Sequence, residues 1–253
     1  MKKFFTIASL LALTLSACSK EAHKGEQEGK GQVTINCVVE TNVDDTRANI
    51  SCTTPTAEEF ALKIEGQNFS QEYATIDEFH ADSYLRFGDY TATVVAGDIN
   101  DEGCDKATFV GSKAFAVAAR KHSDVEITAT IANALVKVET TDNFERYFEG
   151  GHTLILTTKA GNEFDVTAQS DLLFIAPAEF TVTGTAVKQS AQSGKEGATV
   201  TLPEFKQSEV KAQTLYTIKL DVENAGSAML TITLNETLVE SVDIEQELND
   251  NAE

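Results

Sequence analysis

The sequence predicts an all-β fold with two β-sandwich domains. Apolar and polar residues alternate with a period of two in many short runs. These runs are rich in Val, Ile, Thr, Phe and Tyr, the residues that favour strands. Turn-forming Gly, Asn and Asp separate the runs at short intervals, as in 150–151 (GG) and 160–162 (AGN). Many short strands joined by such turns are typical of sandwiches rather than of an open parallel sheet.

The strand pattern divides into two predicted domains of Ig-like or transthyretin-like type. The boundary lies at 138/139, where a strand runs into the polar segment 140–143 (TTDN). The first sandwich therefore spans 32–138 and the second spans 139–253. The predicted strands are Val33–Val39, Phe60–Ile64, Tyr90–Ala96, Lys113–Val117, Val125–Ile131, Leu135–Thr140, Thr153–Thr157, Glu179–Val187, Thr199–Leu202, Leu215–Val222 and Ala228–Leu234.

Few segments fall outside this strand pattern. Thr56–Phe60 and Asn143–Phe148 are predicted to form single helical turns. Lys188–Gly197, which is small and polar, predicts an exposed loop. The acidic tail 245–253 is predicted to fray.

The first eighteen residues have the order of a secretory signal that ends in a lipidation site. Lys2 and Lys3 precede an apolar run of about 12 residues, whereas a bilayer span needs roughly 20. The run ends in 15–18 (LSAC), which resembles the lipobox, where the cysteine is acylated before cleavage. Residues 1–17 are therefore predicted to be a lipoprotein signal peptide, and Cys18 is predicted to carry diacylglycerol and palmitate. An ordinary signal peptide with an incidental cysteine is the alternative.

Residues 18–31 are predicted to form a lipid-anchored, flexible tether. From Ser19 to Gly31 there is no β-branched or aromatic hydrophobic residue, so this segment cannot bury enough apolar surface to fold. Its start, 19–21 (SKE), resembles the export signal that carries Bacteroidota lipoproteins to the outer face of the outer membrane. The resemblance implies a lipid-anchored protein of the outer membrane at the cell surface, with the periplasmic face as the alternative.

The charge of the chain restricts its partners. It holds 20 Lys and Arg against 40 Asp and Glu, a net charge of −20. Such a surface repels nucleic-acid phosphates and anionic lipid. The predicted partners are the membrane, through the N-terminal lipid, and a protein or glycan at the cell surface; nucleic acid is excluded.

No catalytic, metal or cofactor-binding residue is predicted. The acidic segment 98–103 (DINDEG) resembles a calcium loop, but an EF-hand needs Glu at the twelfth position, where Phe109 stands. A solvated turn is therefore preferred over an irregular calcium site. The four histidines have no metal-ligand spacing, and neither a nucleophile elbow nor a phosphate-binding glycine loop is present. The chain is not predicted to be an enzyme.

Three cysteines remain beyond Cys18. Export permits disulfides, and Cys37 and Cys52 are separated by 14 residues, so that they can join two neighbouring strands. This pair is the candidate disulfide, and three free thiols are the alternative. If the pair forms, Cys104 is left over and is available for intermolecular pairing.

The strand and turn residues also resemble a known family. Residues 86–94 (RFGDYTATV), 109–117 (FVGSKAFAV) and 131–138 (IANALVKV) are similar in order and spacing to the Bacteroidota lipoproteins of the family of unknown function DUF4493. Residues 215–220 (LYTIKL) and 224–226 (NAG) extend the resemblance to the second half. The family in turn resembles fimbrillin-like lipoproteins, whose two β-sandwich domains build or cap pili.

The resemblance implies a non-catalytic surface module for interaction, adhesion or fimbrial structure. A glycan-binding lipoprotein of a polysaccharide-utilisation system is the alternative function. That alternative requires exposed aromatic rings on one face, and alternation alone does not locate them. The chain has no tryptophan, and the candidate stacking residues are Tyr73, Tyr84, Tyr90, Tyr147 and Tyr216.

Overall fold

The computed structural model describes residues 29–40, 52–167, 171–190, 197–224, 227–234 and 243–248. The predicted signal peptide, Cys18 and most of the predicted tether lie outside the described residues. Strands dominate, so the all-β prediction is confirmed. Neither α-helix within the described ranges is long and apolar enough to cross a membrane.

The elements follow one another in a simple order. A 3-10 turn, Ala57–Glu59, precedes β2, and the helices are α1 (Ile76–His80) and α2 (Asp142–Tyr147). The strands are β1 (Lys30–Glu40), β2 (Ala61–Gly66), β3 (Phe69–Tyr73), β4 (Tyr84–Arg86), β5 (Gly88–Ala96), β6 (Gly103–Cys104), β7 (Phe109–Val117), β8 (His122–Ile131), β9 (Ala134–Thr140), β10 (His152–Thr158), β11 (Glu163–Asp165), β12 (Leu173–Ile175), β13 (Phe180–Val187), β14 (Thr199–Gln207), β15 (Leu215–Asn224), β16 (Ser227–Leu234) and β17 (Asp243–Leu248).

The first sheet has seven strands in the order β3-β2-β5-β7-β8-β1-β4. β7 and β8 pair at Phe109↔Ile131 and Val110↔Thr130, at one end of each strand. The sheet therefore bends at this joint into a four-stranded and a three-stranded layer. Buried side chains from both layers, such as Ile64 and Val94 on one side and Ile35 and Ile127 on the other, form the first core.

The second core lies between two further sheets. One has the order β11-β10-β13-β14, and the other has the order β17-β16-β15-β9-β12-β6. Leu154 and Val182 from the first of these pack with Val136 and Ile218 from the second. Facing sheets with buried inner side chains are the arrangement of a β-sandwich.

Three strands at the junction of the halves have adjacent buried side chains that face opposite cores. Leu135 of β9 lies opposite Phe174 of β12 and opposite Leu215 of β15. This row of three side chains, the junction row, packs into the first core. Their chain neighbours, including Val136 and Leu173, point the other way and belong to the second core.

The predicted domain boundary at 138/139 falls inside β9. Ala134, Val136 and Val138 belong to the second core, whereas Leu135 belongs to the first. β9 also runs parallel to β15 and pairs with it from Leu135↔Leu215 to Thr140↔Leu220. The division into two domains stays a prediction.

All the predicted strands and both helical turns have counterparts in the structure. The fraying predicted for 245–248 is wrong, because these residues belong to β17, which pairs with β16; 249–253 lie outside the described residues, as does 191–196 of the predicted loop. The sequence also missed α1, whose five residues are too few to show a helical period. Thr75 caps α1 by accepting a hydrogen bond from the Glu78 amide at 3.1 Å.

A capping interaction after β11 supports a prediction about pH. The side-chain and backbone hydrogen bonds of Thr167 lower the pKa of Asp165 below its ordinary value of 3.8, and the Thr167 amide donates to Asp165 Oδ1 at 3.0 Å. Because the folded-state pKa is depressed, the stabilisation is present above the unfolded pKa and is lost as the pH falls through the folded pKa.

Carboxyl NMR titration is expected to find Asp165 titrating below 3.8. Thr167→Val is expected to move this pKa back towards the ordinary value, while Thr201→Val, on the distant strand β14, leaves it in place. An Asp165 pKa at or above the ordinary value would contradict the prediction.

Candidate functional site

A cleft of about 1110 Å³ opens between the two edge strands of the first sheet, β3 and β4. The bend in that sheet brings its two ends together, so both edges and the start of β5 line one space. We call it the aromatic cleft after its rings Phe69, Tyr73, Tyr84, Phe87 and Tyr90. The full lining is Lys30, Gln67, Asn68, Phe69, Gln71, Tyr73, Glu78, Asp82, Tyr84, Leu85, Arg86, Phe87, Gly88, Asp89 and Tyr90.

The β3 wall of the cleft carries a ring, an amide and a second ring. Phe69, Gln71 and Tyr73 share one face because side chains alternate along a strand. Phe69 packs edge-to-face on Tyr90, with ring centroids 5.8 Å apart. Tyr73 packs in the same way on the buried Phe79 of α1, at 5.3 Å. Both rings are therefore fixed before any ligand arrives.

Gly66 makes room for the ring of Tyr90 behind this wall. A Cβ at Gly66 would lie 2.8 Å from two ring carbons of Tyr90, closer than real Cβ contacts. The Tyr90 hydroxyl donates to the Arg86 carbonyl at 3.1 Å and so connects β5 to the opposite wall.

The opposite wall presents exposed rings. Tyr84 is 36% exposed and Phe87 is 68% exposed. The Phe87 amide donates to the Gly29 carbonyl at 2.8 Å, which fixes its backbone beside the start of β1. The other large exposed hydrophobic side chains among the described residues, Val38 and Val110, do not line the cleft.

Polar groups of several kinds surround these rings. Gln67, Asn68 and Gln71 supply amides, each able to donate and accept. The charged lining groups are three carboxylates and two cations. They are Glu78, Asp82, Asp89, Lys30 and Arg86.

Tyr73 and Tyr90, two of the three tyrosines that line the cleft, keep their protons at neutral pH. Burial raises the pKa of Tyr73, and Asp82 and Glu78 raise it further. Burial also raises the pKa of Tyr90, with Arg86 acting in the opposite direction. The Tyr73 hydroxyl is therefore available as both donor and acceptor.

A second depression of about 630 Å³ continues the cleft across β2, β5 and β7. It shares Gln67, Asp89 and Tyr90 with the aromatic cleft and adds Phe115. Phe115 stacks on Tyr90 at 5.8 Å with the ring planes 25° apart. The binding surface is therefore longer than the cleft alone.

Of the five candidate stacking tyrosines, the structure brings Tyr73, Tyr84 and Tyr90 together in the cleft. Tyr147 and Tyr216 pack against the second core instead. Sequence reasoning missed Phe69 and Phe87 as site residues. Phe87 could have been found from its position directly before Gly88-Asp89, because a turn at that point exposes an apolar side chain.

The acidic segment considered for calcium is arranged as a turn. Asp98 Oδ1 accepts from the Asn100 amide at 2.9 Å and from Asn100 Nδ2 at 3.0 Å. Asp101 pairs with Lys106 at 2.7 Å. In the part of the chain that the structure describes, no group of three or more His, Cys, Asp or Glu side chains is placed to hold a metal ion.

Cys37, Cys52 and Cys104 are free thiols in the structure. Cys37 and Cys52 are half-buried against the first core. Burial raises the pKa of both thiols, and Asp105 raises that of Cys52 further, which slows their reaction as thiolates. The disulfide between Cys37 and Cys52 stays a prediction.

The fold and the cleft together define an all-β protein with a ligand-sized, aromatic surface cleft. Residues 29–250 match the model of the family described as "Domain of unknown function (DUF4493)". The chain therefore belongs to this family, and the resemblance noted in its sequence is confirmed. None of the curated proteins compared with the chain matches it.

The chain is also similar to several solved structures from Bacteroides. A candidate polysaccharide-binding protein of Bacteroides thetaiotaomicron is 11% identical, with 85% of this chain and 98% of that chain covered and a TM-score of 0.39. A candidate cell adhesion protein of Bacteroides eggerthii is 6% identical, with 88% and 96% covered and a TM-score of 0.42. A candidate adhesin of Bacteroides ovatus is 10% identical, with 84% and 95% covered and a TM-score of 0.38.

Proposed function

We propose that this protein is a non-catalytic lipoprotein of the cell surface that binds an extracellular partner through the aromatic cleft. The observation that carries the proposal is the pair of exposed rings, Tyr84 and Phe87, which face Phe69 and Tyr73 across the cleft. Aromatic side chains gathered in a concave site are typical of binding hot spots, because they bury much apolar area with few rotatable bonds. Adhesion or a fimbria-associated structural role follows from such binding.

The position of the cleft supports a role close to the membrane. Phe87 is hydrogen-bonded to Gly29, so the cleft lies at the end of the first sheet where the chain enters. Eleven residues separate Cys18 from Lys30. Even fully extended they span no more than about 40 Å. We propose that lipid on Cys18 anchors the protein to the outer membrane, with the cleft within that reach of the bilayer.

The histidines support a binding role over catalysis, because those in the described ranges have structural partners. His80 Nε2 accepts from the Ile35 amide at 3.1 Å. His122 pairs with Asp124 at 2.9 Å, and His152 Nε2 lies 3.2 Å from the Thr167 carbonyl. None of the three lines the aromatic cleft. Glu78, which does line it, accepts the Ala74 amide at 2.7 Å as part of the cap of α1.

A cell-attachment assay tests the proposed function. Cells lacking the protein are complemented with wild type, with Tyr84→Ser/Phe87→Ser, or with the control Val38→Ser/Val110→Ser. Attachment of intact cells is then counted on surfaces coated with mucin, matrix protein or capsular polysaccharide. The cleft variant is expected to lose most of the attachment that wild type restores. The control exchanges hydrophobic side chains of similar exposure outside the cleft and is expected to attach normally.

Cys18→Ala serves as the anchoring control in the same assay. Loss of the lipid is expected to abolish attachment and to release the protein from the membrane fraction or leave it unprocessed. Attachment by the cleft variant equal to that of wild type would contradict a binding role for the cleft. Membrane fractionation of Cys18→Ala equal to that of wild type would contradict the anchor.

A further inference from the structure

We propose that the aromatic cleft binds a chain of neutral pyranose sugars. This inference rests on the proposed function and names the ligand class of the same site. A pyranose ring carries C–H groups on its faces and hydroxyl groups around its rim. The C–H groups rest on the negative faces of aromatic rings, and the hydroxyl groups need donors and acceptors in the ring plane. The cleft supplies both kinds of group together.

The β3 wall has the spacing that such a ligand requires. Phe69 and Tyr73 are four residues apart on one strand, so their attachment points lie about 13 Å apart. Gln71 stands between them on the same face and is exposed. A sugar chain lying along β3 thus meets ring, amide and ring in succession, while Phe87 covers it from the opposite wall.

The dimensions favour several sugar units over a single one. The cleft of about 1110 Å³ exceeds the roughly 300–1,000 Å³ typical of small-molecule pockets. The depression of about 630 Å³ beside it prolongs the surface past Tyr90 to Phe115. A ligand that fills both is extended, as an oligosaccharide is.

The charges favour an uncharged ligand. Three carboxylates and two cations line the cleft, and the whole chain carries −20. This negative field repels a uronate or a sulfated glycan but does not repel a neutral glycan. The hydroxyl groups of a neutral glycan can also donate hydrogen bonds to, or accept them from, every polar group in the lining.

The lining favours a sugar over a peptide. Among the described residues that line the cleft, Leu85 is the one aliphatic side chain, and it is 4% exposed. A peptide needs apolar pockets for its side chains, or a long free strand edge to pair with. β4 has three residues and offers a short edge. A peptide that paired with β3 would form hydrogen bonds with its main chain, and its binding would not depend on the Gln71 amide.

Binding calorimetry with the full-length protein in detergent tests the inference. The probes are neutral hexasaccharides of glucose, mannose, galactose and xylose, with oligogalacturonate as the anionic control. At least one neutral hexasaccharide is expected to bind, and Phe87→Ala and Gln71→Ala are each expected to raise its Kd at least tenfold. Val38→Ala, which alters an exposed side chain on β1, is expected to leave the Kd unchanged.

Three outcomes would overturn the inference. The first is that no neutral probe binds while cell attachment still depends on the cleft. In that case the proposed function would stand, and the ligand of the cleft would be a protein instead of a glycan. The second is binding that survives both cleft substitutions, which would place the sugar elsewhere. The third is tighter binding of oligogalacturonate than of any neutral probe.

Discussion

Replacement of Phe174 by alanine is expected to lower the free energy of unfolding by about 3–5 kcal/mol. Phe174 is 1% exposed and belongs to the junction row, where it lies opposite Leu135. Removal of this ring leaves a cavity where the first core meets the six-stranded sheet that contains β12. The neighbouring Leu173 and Ile175 face the second core and hold β12 in place, so the site cannot collapse to fill the space.

Chemical denaturation followed by circular dichroism measures this loss. Phe87→Ala is the matched control, because it removes the same ring from a position that is 68% exposed. The control is expected to change the free energy of unfolding by no more than about 0.5 kcal/mol. A loss below about 1 kcal/mol for Phe174→Ala would show that the junction row is not a packed part of the core.

Replacement of Glu102 by alanine is expected to lower the free energy of unfolding by about 3 kcal/mol. Each hydrogen bond to a charged group contributes roughly 1.5–3 kcal/mol, and the contributions of neighbouring bonds do not add fully. Glu102 lies in the loop between β5 and β6, directly before Gly103. Its carboxylate accepts from Thr158 Oγ1 and from Asn162 Nδ2, both at 2.7 Å, and from the Ala176 amide at 2.9 Å. One side chain of the first half thus holds three groups of the second.

Asp101→Ala is the control for this prediction. Asp101 is the chain neighbour of Glu102 and forms an exposed ion pair with Lys106, so its removal is expected to cost less than about 1 kcal/mol. Glu102→Gln keeps the shape of the side chain and one accepting oxygen. Its free energy of unfolding is expected to lie between those of the Glu102→Ala and Asp101→Ala proteins. Equal stability of the Glu102→Ala and Asp101→Ala proteins in the same denaturation experiment would contradict the role of Glu102.

Alternation missed short strands such as β4, but it predicted the longer strands that have one buried face. β5 is an example: Tyr90, Ala92, Val94 and Ala96 are buried and alternate with exposed or half-buried residues. β12 escaped prediction because Leu173, Phe174 and Ile175 are all buried, some in one core and some in the other, and a strand buried on both faces shows no period of two.

The aromatic cleft could be predicted only in part. The candidate tyrosines included Tyr73, Tyr84 and Tyr90, but no strand was predicted at β3, so Phe69 and Tyr73 were not placed on one face. The cleft forms because the first sheet bends between β7 and β8 and brings its two edges together. Tyr84 and Phe69 are neighbours across the cleft through this long-range closure, which no local pattern records.

The role of Glu102 could not be predicted from the sequence either. Within the segment 98–103 it is one of several acidic residues in a predicted solvated turn, and Asp98 and Asn100 do form such a turn. The partners of Glu102, at Thr158, Asn162 and Ala176, lie more than fifty residues away along the chain. Glu102 differs from the neighbouring acidic residues only because the packing of the two halves brings these three hydrogen-bond donors to its carboxylate.

Fluorine NMR of protein labelled with fluorotyrosine tests most directly whether the aromatic cleft is the binding site. The chain has five tyrosines, each assignable by substitution with phenylalanine. Tyr73, Tyr84 and Tyr90 line the cleft, and Tyr147 and Tyr216 lie in the other half as internal controls. On titration with the neutral hexasaccharides, the Tyr73 and Tyr84 resonances are predicted to shift in a saturable manner while those of Tyr147 and Tyr216 stay fixed. Shifts confined to Tyr147 or Tyr216, or none at all with every hexasaccharide, would contradict binding of a neutral glycan in the cleft.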